Sequence, residues 1–216
     1  MDYTALCSAR WDALCSRLSV GAETAATWWS TLHDAYEGPG RYYHTLRHVA
    51  ELLLHLDAHR ASVSDVDAVE LATFFHDVVY NAQSGGGGRN ELDSAEVWRD
   101  FARAAQLAAL EEKVARWIVQ TKDHRCTDAD ELDCKLFMDF DMAILATPPA
   151  EYAAYAANVR REYGHLSTAA WCYGRGAFLR SFAQSDAPIF ATPAFRDAGE
   201  AAARRNAATE AVMLRR

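Results

Sequence analysis

From Tyr43 to His59 the chain reads YHTLRHVAELLLHLDAH, and this stretch decides the fold. Val49, Leu52, Leu53 and Leu56 fall at i, i+3, i+4 and i+7, the spacing that gathers apolar side chains on one face of an α-helix. The reading extends outward in both directions. Between Arg41 and Thr147 there is no Pro, and the only Gly residues are the run Gly85 to Gly88. So long a stretch without breakers, rich in Ala, Leu, Glu and Arg, favours helix. Upstream, Cys7, Trp11, Leu14, Cys15 and Leu18 make one apolar stripe, and Ala25, Trp28, Trp29, Leu32 and Tyr36 make a second. The second stops at Gly38-Pro39-Gly40. Downstream, Ser64 is expected to cap a helix carrying Val69, Ala72, Phe75, His76 and Val79. The glycine run then reads as a flexible loop, and Asn90 as the N-cap of a helix with Glu91 and Asp93 in its first turn.

A sixth helix is marked by Leu107, Leu110, Val114, Trp117, Ile118 and Thr121, and a seventh runs from Leu132 to Leu145, stopped by Pro148-Pro149. Glu151 to Tyr163, Thr168 to Phe182 and Ala194 to Leu214 complete the set. No run alternates as a strand would. The expectation is one all-α domain over residues 1–216, a bundle of about eight to ten helices. Its core is expected at about 25–145, with the helices of 150–216 packed on it.

Composition narrows the function classes. The 216 residues carry 22 Lys+Arg against 30 Asp+Glu, a net charge of −8, which argues against a broad nucleic-acid or anionic-membrane surface. No stretch approaches the roughly 18 apolar residues of a membrane span, and Met1-Asp2-Tyr3 does not open as a secretory leader does. The cysteines Cys7, Cys15, Cys126, Cys134 and Cys172 are odd in number and show no C-x-x-C spacing. A reduced, cytoplasmic setting is expected. The aromatic residues, 11% of the chain, read as core.

Three places put His and Asp on otherwise apolar helices. His44 and His48 are four apart and are expected to share a helix face, a spacing that suits metal chelation and equally a solvated pair. His76-Asp77 interrupts Phe74-Phe75 and Val78-Val79, where burial of two polar groups costs several kcal/mol, on the usual order for unpaired groups, unless something binds them. Asp139 and Asp141 stand among Phe137, Met138, Phe140 and Met142, so one must face inward with a partner. Together the three places can bring N, N, O and O donors to one point, a set that suits Mn, Fe, Zn or Mg with positions left for water or substrate.

This order of residues, H…HD…D on helices, resembles the HD superfamily of metal-dependent phosphohydrolases. Further stretches are similar to the predicted metal-dependent HD phosphohydrolases within it. They are Arg41-Tyr42-Tyr43-His44 with His48, Phe75-His76-Asp77-Val78-Val79-Tyr80, Asn90-Glu91 with Ser94-Ala95, Thr121-Lys122-Asp123-His124, and Asp139-Phe140-Asp141 followed by Ile144-Leu145. Near the end, Glu200 with Ala203-Arg204 and Asn206 adds to the likeness, which covers roughly residues 25–215. The glycine run is longer than that family's pattern, and Arg89 stands where it usually has an acid.

The resemblance implies a divalent ion (Mn, Mg, Fe, Zn, Co or Ni) held by His44 or His48, by His76 and Asp77, and by Asp139 or Asp141. It implies Asp77, Glu91 and Lys122 in catalysis, and Arg41, Lys122 and His124 toward a small phosphorylated substrate, nucleotides included. Each of these has a plainer reading: Glu91 as a first-turn helix charge, Arg41 and Lys122 as surface cations, His124 as a loop residue, and Arg204 as the partner of Glu200 one turn earlier. Two other function classes stand beside the hydrolase. One is a non-catalytic sensor or scaffold on the same bundle. The other is a di-iron oxygenase, which needs extra His ligands between the HD pair and the last Asp, where only His124 is available.

Overall fold

Apolar stripes at helical spacing can be buried only by packing helix on helix, and the computed structural model of the chain follows that rule. It describes residues 1–83 and 89–215; the glycine run, expected to be a flexible loop, lies outside them. Among the described residues there are ten α-helices and no strand. In chain order they are α1 (Tyr3–Arg17), α2 (Ala22–Tyr36), α3 (Leu46–Ala58), α4 (Val66–Phe75), α5 (Asn90–Ala104), α6 (Ala108–Gln120), α7 (Leu132–Met142), α8 (Pro149–Glu162), α9 (Thr168–Ala183) and α10 (Pro193–Met213). None of the described helices is long and apolar enough to cross a membrane.

One continuous cluster of buried side chains runs from Cys7 of α1 to Ala203 of α10. It is wider than the expected 25–145. Cys7, Trp11 and Leu14 of α1 are fully buried in it, because Trp11 packs on Phe74 (ring centroids 5.3 Å apart) and on Phe101 (5.1 Å). Phe75 continues the aromatic layer against Phe101 at 5.2 Å and Trp98 at 5.4 Å. Each of these side chains contributes roughly 2–3 kcal/mol by leaving water. The polar tips are met as well: Trp11 Nε1 donates to Ala25 O at 2.9 Å and Tyr36 Oη to Phe74 O at 3.0 Å. Outside the main core, Leu179, Ala207 and Ala211 pack α9 on α10 as a small satellite.

Helix boundaries depart from the sequence reading where side chains from distant helices take the backbone. The N-cap of α4 is Asp65, whose Oδ1 accepts from Ala68 N at 3.0 Å. Ser64, the expected cap, gives its own N–H to the buried Asp133 carboxylate of α7 at 2.9 Å, and Asp65 N follows at 2.8 Å. Likewise α5 starts at Asn90, with Arg89 as N-cap, while Asn90 Oδ1 accepts from Asn81 N at 3.1 Å. Helix α7 ends at Met142 and tightens into a 3-10 turn over Ala143–Ala146. Pro149 and Pro193 each open a helix at its first turn, where a missing N–H costs nothing.

The C-terminal motifs are structural. Glu200 of α10 accepts from Ile189 N at 2.9 Å and Phe190 N at 3.2 Å and pairs with Arg204 Nε at 2.7 Å. Asn206 Nδ2 donates to the carbonyls of Leu145 and Thr147, each at 2.9 Å.

Candidate metal centre

The centre lies where α3, the end of α4 and α7 meet. Helix α3 begins at Leu46, not near Tyr43, so His48 sits in its first turn and is 2% exposed. His76 caps the C-terminal end of α4 at 1% exposure, and Asp77 follows it. Asp141 comes from the last turn of α7.

Their donor atoms converge. His48 Nε2 lies 3.2 Å from His76 Nε2 and 3.1 Å from Asp141 Oδ1. Asp77 Oδ2 lies 3.1 Å from His76 Nε2 and 3.6 Å from His48 Nε2. His76 Nε2 to Asp141 Oδ1 is 3.9 Å. His48, His76 and Asp141 each offer an atom within 4.8 Å of the other two. Two donors about 2.1 Å from one ion stand about 3.0 Å apart at a right angle and about 3.4 Å apart at the tetrahedral angle. The observed separations therefore fit a divalent ion.

The supporting groups are in place too. His76 Nδ1 donates to Thr73 O at 2.9 Å, which fixes the tautomer and turns Nε2 toward the cluster. His124 Nε2 hydrogen-bonds Asp141 Oδ2 at 2.7 Å, leaving Oδ1 toward His48. The backbone at His124 is left-handed, φ 49°, an uncommon conformation for a residue with a side chain.

Burial alone would neutralise such a site, and the opposed charges prevent it. Burial works against the His76 cation, yet Asp77 and then Asp141 outweigh it and push His76 up to about 9. Burial likewise acts to raise both carboxyls. His76, His44 and His48 hold Asp77 far below the usual range, and hydrogen bonds from His124 and His48 do the same for Asp141.

The remaining candidates fall elsewhere. His44 does not share a helix face with His48, because it precedes the N-cap Thr45. Its Nδ1 is 2.7 Å from Glu162 Oε2, and its ring stacks on Tyr80 at 4.1 Å. Asp139 is turned away: its carboxylate accepts from Ala191 N (2.6 Å), Thr192 N (2.8 Å) and Thr192 Oγ1 (2.5 Å), capping the entry to α10. Successive helix positions differ by about 100°, so Asp139 and Asp141 lie about 200° apart and face opposite sides of α7.

Arg41 is not a free phosphate ligand. Its guanidinium donates to the carbonyls of His44 (3.0 Å), Asp77 (2.7 Å) and Val78 (2.8 Å), a cap on the chain leaving α4. Lys122 is exposed, and its side chain makes no hydrogen bond or ion pair among the described residues. Glu91 is half-buried in the first turn of α5, outside the cluster. His124, the one His that an oxygenase could recruit, is hydrogen-bonded to Asp141.

Glu162 is the residue that sequence reading missed. Its Oε1 accepts from the backbone N–H groups of Tyr42 (2.7 Å), Tyr43 (2.7 Å) and His44 (3.0 Å), while Oε2 takes His44 Nδ1 and, at 3.1 Å, Tyr80 Oη. In the sequence it closes the charged run Arg160-Arg161-Glu162 and looks solvated. The available signal was electrostatic: it ends α8, where the helix dipole disfavours a carboxylate.

Two adjoining hollows lead from solvent to His48 between α3, α7 and α8, and the second also reaches Asp141. Both are walled by Tyr43, Glu51, Ile144 and Glu151. Compared with models of known protein families, with curated proteins and with solved structures, the chain matches none.

Proposed function

We propose that this chain is a metal-dependent phosphohydrolase of the HD type, with His48, His76, Asp77 and Asp141 as the ligand set, acting on a small phosphorylated compound in a reducing, cytoplasmic setting. The observation that carries the reading is the convergence of His48 Nε2, His76 Nε2 and Asp141 Oδ1 within 3.1–3.9 Å of one another, with Asp77 Oδ2 3.1 Å from His76 Nε2 and 3.6 Å from His48 Nε2. Two nitrogens 3.2 Å apart, each facing a carboxylate, need a cation between them, either a proton or a metal ion.

A divalent ion held there supplies a Lewis acid and lowers the pKa of a coordinated water to about 7. The chain's own residues do the rest. His124 holds Asp141 by one oxygen, and Thr73 O fixes the ring of His76. Burial acts against a charge on His44, and Asp77 and Glu162 outweigh burial and raise its pKa. With Nδ1 tied to Glu162, Nε2 is the ring nitrogen of His44 left to meet a phosphate oxygen. The hollows along Tyr43 and Ile144 open beside the ligand set and would take the organic part of the ester.

The test is elemental analysis of the purified chain beside Asp77→Ala, followed by a panel of phosphate esters with added Mn or Mg. One or two ions per chain, lost together with ester hydrolysis in a variant that keeps its helical circular dichroism, is the expected result. A wild-type chain without metal, with a melting temperature unmoved by added divalent ions, would overturn the reading in favour of a non-catalytic binding module.

A further inference from the structure

The segment between α6 and α7 carries a second, unrelated cluster. Its chain reverses in a turn: Asp130 N donates to Thr127 O at 3.2 Å, and the Asp130 carboxylate accepts from Thr127 N at 2.6 Å and Thr127 Oγ1 at 3.0 Å. The reversal brings Cys126 back toward Cys134 in the first turn of α7, and both sulfurs meet one side-chain amide. Gln120, the last residue of α6, spans both. Its Nε2 donates to Cys126 Sγ at 3.7 Å and to Arg125 O at 2.7 Å, and its Oε1 accepts from Cys134 Sγ at 3.5 Å. Cys134 is 1% exposed, whereas Cys126 is partly exposed, so a reagent from solvent meets one thiol with the other behind it.

We propose that Cys126 and Cys134 are a redox modification site that closes reversibly into a disulfide. The proposal does not depend on the metal centre. Cys126 attacks a peroxide: an S–O bond forms, the O–O bond breaks, and the leaving oxygen departs as water. Cys134 sulfur then attacks the Cys126 sulfenic acid, forming the S–S bond, breaking the S–O bond and releasing a second water, so two thiols and one hydrogen peroxide give one disulfide and two waters. The Gln120 amide N–H directed at Cys126 Sγ favours the thiolate, and the Cys126 thiol is lowered, with its neighbour Cys134 the main cause. Oxidation ties the segment bearing His124 to α7, the helix that bears Asp141.

The other cysteines lack this arrangement. Cys7 and Cys15 are buried in α1 and pushed up to about 12 by burial. Cys172 is partly exposed on α9 without a bonded sulfur among the described residues.

The experiment treats the full chain with stoichiometric hydrogen peroxide, counts thiols after denaturation, and maps peptides by mass. The expected result is loss of two of the five thiols, a mass lower by about 2 Da, one peptide pair linking Cys126 to Cys134, and full reversal by dithiothreitol. With a second equivalent of peroxide, Cys134→Ser should leave Cys126 to advance to sulfinic acid, and Cys126→Ser should keep Cys134 reduced. Cys126 sulfinic acid in the wild type with Cys134 still free would overturn the proposal, as would a disulfide that joins any other pair.

Discussion

Asp139 and Asp141 are the same residue type two positions apart, and chemistry alone cannot tell them apart. What separates them is the side of α7 each one faces. Asp141 looks toward His48 and His124, and Asp139 toward the backbone entering α10. Their Asn variants should therefore fail differently. Asp141→Asn should strip bound metal while moving the melting temperature of the chelated protein little. Asp139→Asn should keep the metal but destabilise by about 1–3 kcal/mol, the usual cost of a weakened buried hydrogen-bond set. Metal content and thermal unfolding of the two variants, measured side by side, check this; equal metal loss in both would contradict the two-faced reading of α7. The same reasoning separates His48 from His44, since four residues place two side chains on one face only if both are in the helix, and α3 starts between them.

At the scale of elements, the segment Arg41 to Thr45 that leads into α3 is held by one carboxylate from α8. Burial acts to raise Glu162, but the His44 hydrogen bond and the N–H groups of Tyr42 and Tyr43 outweigh it and hold Glu162 at about 2. An unfolded chain returns it to about 4.3. The native carboxylate therefore binds a proton less readily than the unfolded one. Its stabilisation is complete above about pH 4.3 and is lost as the pH falls from there toward 2. Glu162→Gln should be less stable than wild type at neutral pH, and the difference should shrink through that window in urea titrations. A constant difference from pH 7 down to 2.5 would show that the charge is not what matters.

Helix content, order and most boundaries were legible in the sequence because the apolar period of 3.6 is a local property. The H…HD…D residues stood out because carboxylates and imidazoles interrupt apolar runs. Illegible was the use of Asp133, Asp139 and Glu162 as acceptors for backbone N–H groups far along the chain. Such a bond leaves no mark near the residue, because the partner is backbone and every residue type offers the same donor. Arg41 was misread for the converse reason: a cation binding carbonyls looks in sequence like a cation awaiting phosphate.

For the whole molecule, the aromatic layer of Trp11, Phe74, Phe75, Trp98 and Phe101 lies in the continuous core and does not depend on an ion. Chelation should accordingly leave the helical circular dichroism intact. Losing an ion present at about 100 times its dissociation constant removes about 2.7 kcal/mol. In a chain of this length that lowers the melting temperature by about 5–10 °C. Collapse of the far-ultraviolet signal on chelation would mean that the ion organises the core.

The bond from His44 N to Glu162 spans 118 residues, and Asp139 is likewise met from Ala191 and Thr192. On a ribosome, α3, α4 and α7 are all made before the carboxylate that orders the approach to α3. The order of Tyr42 to His44 is therefore set late in biogenesis, after His48, His76, Asp77 and Asp141 have all been made. If the proposed ion is bound, chains truncated before α8 should hold it less tightly than the full chain, although they carry all four proposed ligands.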